Sequence, residues 1–113
     1  MKKIYSIKKS QEFQTIIENK KSVGCSSLAI YYKNNDYGYA RVGISCGKRI
    51  GNAVIRNRTK RQVRSLIDQN LNFKTSRDYI VIVRNKFLEQ DFESNNKDLV
   101  YLLEKIKKFN KEN

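Results

Sequence analysis

Between Asp36 and Asp68 the chain carries no carboxylate, yet Arg41, Lys48, Arg49, Arg56, Arg58, Lys60, Arg61 and Arg64 all fall there. Guanidinium groups pair bidentately with phosphate oxygens and stack on flat rings, so such a run is suited to holding a polyanion. A solvated helix face normally mixes signs, because opposite charges four residues apart stabilise it and like charges do the reverse. This stretch forgoes that help, which points to negative charge supplied from outside. The step Gly51-Asn52 opens a helix whose first N–H groups would add donors for a phosphate. Asn57 differs in kind, since its neutral amide can donate and accept and so suits one defined polar contact.

The whole chain leans the same way. Its 113 residues hold 24 Lys and Arg against 11 acidic residues, a formal net charge of +13. Such an excess repels itself in the folded state, and a polyanionic partner would offset that cost. A lysine-rich compositional bias would scatter cations. It does not explain why five of the eight arginines (Arg49, Arg56, Arg58, Arg61 and Arg64) fall within sixteen positions.

Other chemistries find little support. There is no His, so imidazole acid–base catalysis is unavailable. A metal-dependent nuclease would need clustered carboxylates near the basic surface. The nearest, Glu89, Asp91 and Glu93, surround the start of a helix and read more simply as a cap and its dipole partners. Cys25 and Cys46 have neither metal-ligand spacing nor a Cys-x-x-Cys arrangement, and are expected to be reduced, small, buried side chains in strands. The basic segment 1–9 is followed by no apolar stretch, so neither a secretory signal nor a membrane span is expected and the expected address is cytoplasmic.

The elements that must position the cations follow from periodicity. At this length one domain over 1–113 is expected, with a single modest core. Ser10 can cap a short helix in which Phe13, Ile16 and Ile17 form an apolar stripe. From Val23 to Lys33 the period becomes two, with Leu28, Ile30 and Tyr32 facing one way and Ala29 and Tyr31 the other. Asn34 to Gly38 is turn chemistry. Tyr39 to Cys46 alternates again, with Ala40, Val42, Ile44 and Cys46 on one face, and the two strands read as an antiparallel hairpin. Asn52 can cap a long helix reaching about Asn70, and 71–77 is a polar loop. Tyr79 to Val83 is a nearly continuous apolar run, expected of a strand covered on both faces. A last helix from near Asp91 carries Phe92, Leu99, Leu102, Leu103, Ile106 and Phe109 at helical spacing. The tail, about 110–113, is expected to fray. The order α-β-β-α-β-α predicts an α+β fold, a two-layer sandwich of helices on a small sheet.

At 100° per residue the long helix separates its roles. Ile55, Thr59, Val63 and Leu66, with Ile67 beside them, must pack on the sheet. Asn57, Lys60, Arg61 and Arg64 form one basic ridge, Arg58 projects from the other flank, and Arg56 lies at the edge of the apolar stripe. A basic surface helix without a partner would have compensating acids. A DNA-reading helix would follow a positioning helix after a short turn, whereas here a strand precedes.

The run Arg41-Val42-Gly43-Ile44-Ser45, followed by Lys48-Arg49-Ile50-Gly51-Asn52-Ala53-Val54-Ile55-Arg56-Asn57-Arg58-Thr59-Lys60-Arg61-Gln62-Val63-Arg64, closely resembles the signature of the bacterial ribonuclease P protein component. The likeness extends to Lys8 through Phe13 and to Arg77 through Ile82, so it spans about residues 3 to 109. The resemblance implies an α/β sandwich with a left-handed βαβ crossover, a fold shared with a small-subunit ribosomal protein and a domain of a translational GTPase. It implies that RNA is the catalyst and that the protein supplies no catalytic side chain. Magnesium would be held by the RNA and substrate, with no metal site on the protein. The partners implied are the catalytic RNA and precursor tRNA, with no membrane and no obligate protein partner. Lys48, Arg49, Arg56, Asn57, Arg58, Lys60, Arg61 and Arg64 would bind RNA. Phe13 and Tyr31 match positions lining a cleft, between the first helix and the sheet, for the single-stranded 5′ leader. The strand reading independently turns Tyr31 away from the core face, where an exposed ring can stack on a base; helical spacing alone would place Phe13 in the core. Composition alone would equally suit another RNA-binding protein, such as a ribosomal one; the Gly51 to Arg61 run separates the two.

Overall fold

The computed structural model describes residues 1–110, and within them the elements run α1 (Ser10–Glu18), β1 (Ser22–Gly24), β2 (Leu28–Asn34), β3 (Arg41–Ser45), α2 (Ala53–Asn70), β4 (Arg77–Val83), α3 (Lys86–Glu89) and α4 (Phe92–Phe109). Short 3₁₀ turns at Lys3–Tyr5 and Lys48–Ile50 precede α1 and α2. The fold is α+β, with four strands in the order β1-β2-β4-β3.

That order corrects two expectations. The stretch from Val23 to Lys33 is not one strand but the tight antiparallel pair β1–β2, turning through Cys25-Ser26-Ser27. The second correction concerns the hairpin expected across Asn34–Gly38: β2 and β3 are not neighbours. Instead β4 lies between them, antiparallel to β2 and parallel to β3. Alternation fixes which side of a strand is buried but says nothing of which strand lies beside it. β4, apolar on both faces, takes an interior place beside β2, where both faces of a strand are covered. The βαβ unit is therefore β3–α2–β4.

Both faces of the sheet bear helices. On one, Leu28, Ile30, Tyr32, Val42, Tyr79, Val81 and Val83 meet Val63, Leu66 and Ile67 of α2 and Leu99, Leu102 and Ile106 of α4. These are the stripes that periodicity assigned, except that Phe92 and Phe109, at the two ends of α4, are exposed. On the other face Ile80 packs under Ile16 of α1 and Ile7, with Phe13, Tyr31 and Ile82 half-buried beside them. The expected two-layer sandwich thus gains α1 as a partial third layer.

Local chemistry sets the helix ends. Asn52 Oδ1 accepts from the Ile55 amide at 3.0 Å and Asp91 Oδ1 from the Ser94 amide at 2.8 Å. Each satisfies one orphan donor of a first turn. Ser10 is not a cap: α1 starts on it, with Lys9 at the capping position and no side-chain bond. The open edge of β3 is shielded by a bridge from Ser6 to Val42, with Tyr5 stacked on Phe73 at 4.6 Å. Both cysteines are free and half-buried, just beyond the ends of β1 and β3 rather than inside strands. Of the tail expected to fray, Asn110 closes α4 by donating from Nδ2 to the Ile106 carbonyl at 2.8 Å; residues 111–113 lie outside the described residues.

Candidate nucleic-acid interface

Strand register arranges the α1-facing side of the sheet in rows. Lys33, Asp78 and Arg41 form the first row; Tyr31, Ile80 and Gly43 the second; Ala29, Ile82 and Ser45 the third. Neighbouring strands lie roughly 4.8 Å apart, so Tyr31 stands about 10 Å across the row from Gly43. The helix α1 covers the charged first row with Glu12 and sets the Phe13 ring on Gly43. A Cβ at Gly43 would fall 2.5 Å from Phe13 Cζ, so only glycine lets the ring lie against β3. Phe13 and Tyr31 are both half-buried and flank Ile80, so the two aromatics expected to line a cleft share one face.

In the third row Ala29 is buried, while the half-buried Ile82 and Ser45 border a groove of about 550 Å³ lined also by Lys48, Arg49, Arg84 and Asn85 among others. Its floor is apolar and its rim cationic. A smaller cleft of about 240 Å³ at the β3 edge joins Phe13, Ser6 and Lys8 to Lys60 and Arg64 of α2. The cations thus border the aromatic face on two sides. Asn57, Arg58 and Arg61 line neither cavity and are exposed on α2. The eight expected polar and basic residues therefore form a surface that wraps the helix rather than one pocket.

No described residue neutralises these cations. Among the described residues no salt bridge reaches Lys48, Arg49, Arg56, Arg58, Lys60, Arg61 or Arg64. Asp68, the first acid after Asp36, sits near the far end of α2 and pairs with the Met1 ammonium at 2.8 Å. Arg56 is the exception in role: its Nη1 donates to the Gly51 carbonyl at 2.7 Å, fastening the loop that carries Lys48 and Arg49. Gly51 has a φ of 156°, and a Cβ there would come within 2.9 Å of Ile55 Cγ2, so the sharp entry into α2 requires glycine. Beneath α2 the half-buried Cys46 thiol is pushed up by burial, which outweighs the opposing pull of Lys60 and Arg56.

Arg84 was not anticipated. It continues the period-two face of Asp78, Ile80 and Ile82 one step past β4. Its Nη1 donates to the Cys25 carbonyl at 2.6 Å, and its guanidinium lies over Gly24, where a Cβ would approach Nη2 to 3.5 Å. Reading β4 as covered on both faces hid this signal. Among the described residues no group of three or more His, Cys, Asp or Glu comes together that could hold a metal ion. No helix among them is long and apolar enough to cross a membrane.

Comparison with known proteins decides the family. A family model described as Ribonuclease P matches residues 1–107. The chain belongs to the ribonuclease P protein family. A ribonuclease P protein component from Mycoplasma mycoides is 45% identical over 109 residues, covering 95% of this chain and 100% of the relative. One from Macrococcus caseolyticus is 41% identical over 112 residues, covering 98% and 97%. Among solved structures, the Staphylococcus aureus RNase P protein superposes with a TM-score of 0.83 at 33% identity, covering 91% of this chain and 95% of that one. The Thermotoga maritima RNase P protein gives 0.79 at 28% identity, covering 88% and 96%. The α+β architecture described above is thus the architecture of the family.

Proposed function

We propose that this chain works as the RNA-binding, non-catalytic subunit of a ribonuclease P ribonucleoprotein, promoting magnesium-dependent removal of the 5′ leader from precursor tRNA. The observation that carries the reading is the half-buried face of Phe13, Tyr31 and Ile82, set around the buried Ile80 and bordered by cations that have no acidic partner among the described residues. A single strand needs stacking platforms beside a positive track, and this face supplies both.

In this reading Arg58, Arg61, Arg64 and Asn57 engage the catalytic RNA along α2. Lys48 and Arg49, held by the Arg56–Gly51 bond, act where α2 begins, and Lys60 spans α2 and the cleft. Arg84 offers a further cation for the leader backbone. Phe13 and Tyr31 take up leader bases. The chemistry belongs to the RNA; magnesium is held by RNA and substrate, and its supply there is aided by the precursor being held in register. The site of action is the cytoplasm, with no membrane and no obligate protein partner.

Binding of precursor and of leaderless tRNA to the assembled holoenzyme tests the reading. Tyr31→Ala is expected to reduce the preference for leader-bearing substrate, since one base–aromatic stack contributes roughly 1–3 kcal/mol. Arg58→Ala is expected instead to weaken binding of the catalytic RNA. A Tyr31→Ala protein that keeps the full leader preference would remove that residue from the cleft.

A further inference from the structure

Glu12 precedes Phe13 on α1, and its carboxylate crosses to Arg41 on β3 at 2.7 Å. The rest of that guanidinium is already engaged. Arg41 Nε donates to Asp78 Oδ1 at 2.9 Å and Nη2 to Oδ2 at 2.8 Å. Asn35 Nδ2 donates to the same Oδ1 at 2.7 Å, and the Tyr37 ring stacks on the guanidinium at 4.3 Å. The Arg41 and Asp78 side chains are 13% and 9% exposed, so the geometry of the pair is fixed from several directions. Only Glu12 reaches this block from α1, and it does so next to the residue whose ring rests on Gly43.

The helix needs such a fastening. Nine residues are too few to hold a helix in water unaided. Its capping position is Lys9 without a side-chain bond, and Ile16 is its one fully buried side chain. Beyond its C-terminus Lys20 takes a positive φ of 62°, so the chain turns away at once.

We infer that Glu12, Arg41 and Asp78 form a positioning latch. It holds α1 at the height and rotation that keep the Phe13 ring on Gly43, and thereby sets the affinity for the leader without touching RNA. The inference rests on the cleft reading above and adds the residues that govern the cleft from behind α1. Arg41 and Asp78 lie within the sheet, so replacing either leaves a buried charge alone and disturbs folding. Glu12, at 30% side-chain exposure, can be changed without that penalty.

The test compares precursor and leaderless tRNA binding by holoenzymes carrying Glu12→Ala, Glu12→Gln, Phe13→Ala and the Glu12→Ala/Phe13→Ala pair, each verified to unfold cooperatively. Glu12→Ala is expected to lower the leader preference roughly tenfold, within the range of coupling between contacting residues. Affinity for the catalytic RNA should stay within about twofold, because α2 is not touched. Glu12→Gln retains an oxygen that accepts from Arg41 and should restore most of the preference. A residue that acts through Phe13 adds nothing once Phe13 is gone, so the double variant should match Phe13→Ala alone. If Phe13→Ala lowers the preference while Glu12→Ala does not, or the two losses add in full, the latch is wrong and the cleft stands. If Phe13→Ala leaves the preference intact, the cleft reading itself fails and the latch with it.

Discussion

The helices α2 and α4 are built alike and charged differently. Both have 18 residues, both are opened by an Asn or Asp side chain that accepts from the third amide, and both pack on the same face of the sheet. Yet α2 carries five cations and the single acid Asp68, whereas α4 carries four cations and three acids, Glu93, Asp98 and Glu104. Packing asks the same of the two helices, so packing cannot be the origin of the imbalance. Within α4 two of the three acids are used: Asp98 accepts from Ser27 at 2.5 Å and from Gln90 at 3.0 Å, and Glu104 faces Lys107. Among the described residues the surplus cations of α2 have no acidic partner, and of them Arg56 alone is spent on a backbone carbonyl, that of Gly51.

The largest separation between the helices should come from removing charge. Replacing Arg58, Arg61 and Arg64 by Ala is expected to flatten the salt dependence of RNA binding by roughly 0.7–0.9 log units per lost contact. Thermal unfolding should barely move, since no described ion pair is broken. The same operation on Lys97, Lys105 and Lys108 of α4 should leave the salt slope unchanged. Equal losses from the two helices, in filter-binding titrations across salt, would mean that only net charge matters.

A smaller effect concerns the two faces of the sheet. Gly43→Ala drives a methyl into the Phe13 ring and should cost about 1–3 kcal/mol in denaturant unfolding. The leader preference should fall with it, while affinity for the catalytic RNA holds. A change in stability without a change in leader preference would separate Phe13 from the cleft.

The caps give the finest test. Asn52→Ala should destabilise by about 1 kcal/mol and also weaken RNA binding, because Asn52 adjoins the loop of Lys48 and Arg49. Asp91→Ala should affect stability alone. The caps also part on acidification. The Asp91 carboxyl is held below its usual range by the Ser94 amide, so its contribution is complete above the ordinary carboxylate range and disappears as pH falls through its lowered folded value. Asn52 does not titrate, so acid should loosen the start of α4 before that of α2, as amide exchange would report.

Much of this arrangement was legible in the residues. The α2 stripe of Ile55, Thr59, Val63, Leu66 and Ile67, the Asn52 cap and the outward turn of Tyr31 follow from period and capping chemistry, which are local. Sheet order was not legible, because β4 joins β2 and β3 through pairings that depend on distant segments. The break between β1 and β2 did leave a trace: Val23 and Leu28 both face the main core although an odd number of steps separates them, which demands a turn at Cys25–Ser27. Spacing alone assigned Phe13 to the core and the family likeness to a cleft. In the structure its ring is half-buried against Gly43, which lacks the side chain that would have held the ring away. The bridge between Glu12 and Arg41 joins residues far apart in sequence and left no local signal.

The most direct measurement is cleavage of precursor tRNA by a bacterial ribonuclease P RNA at limiting magnesium, with and without this protein. The protein is expected to restore cleavage at the correct 5′ end and to cleave nothing by itself. Tight, salt-sensitive RNA binding without any rescue would contradict the proposed role.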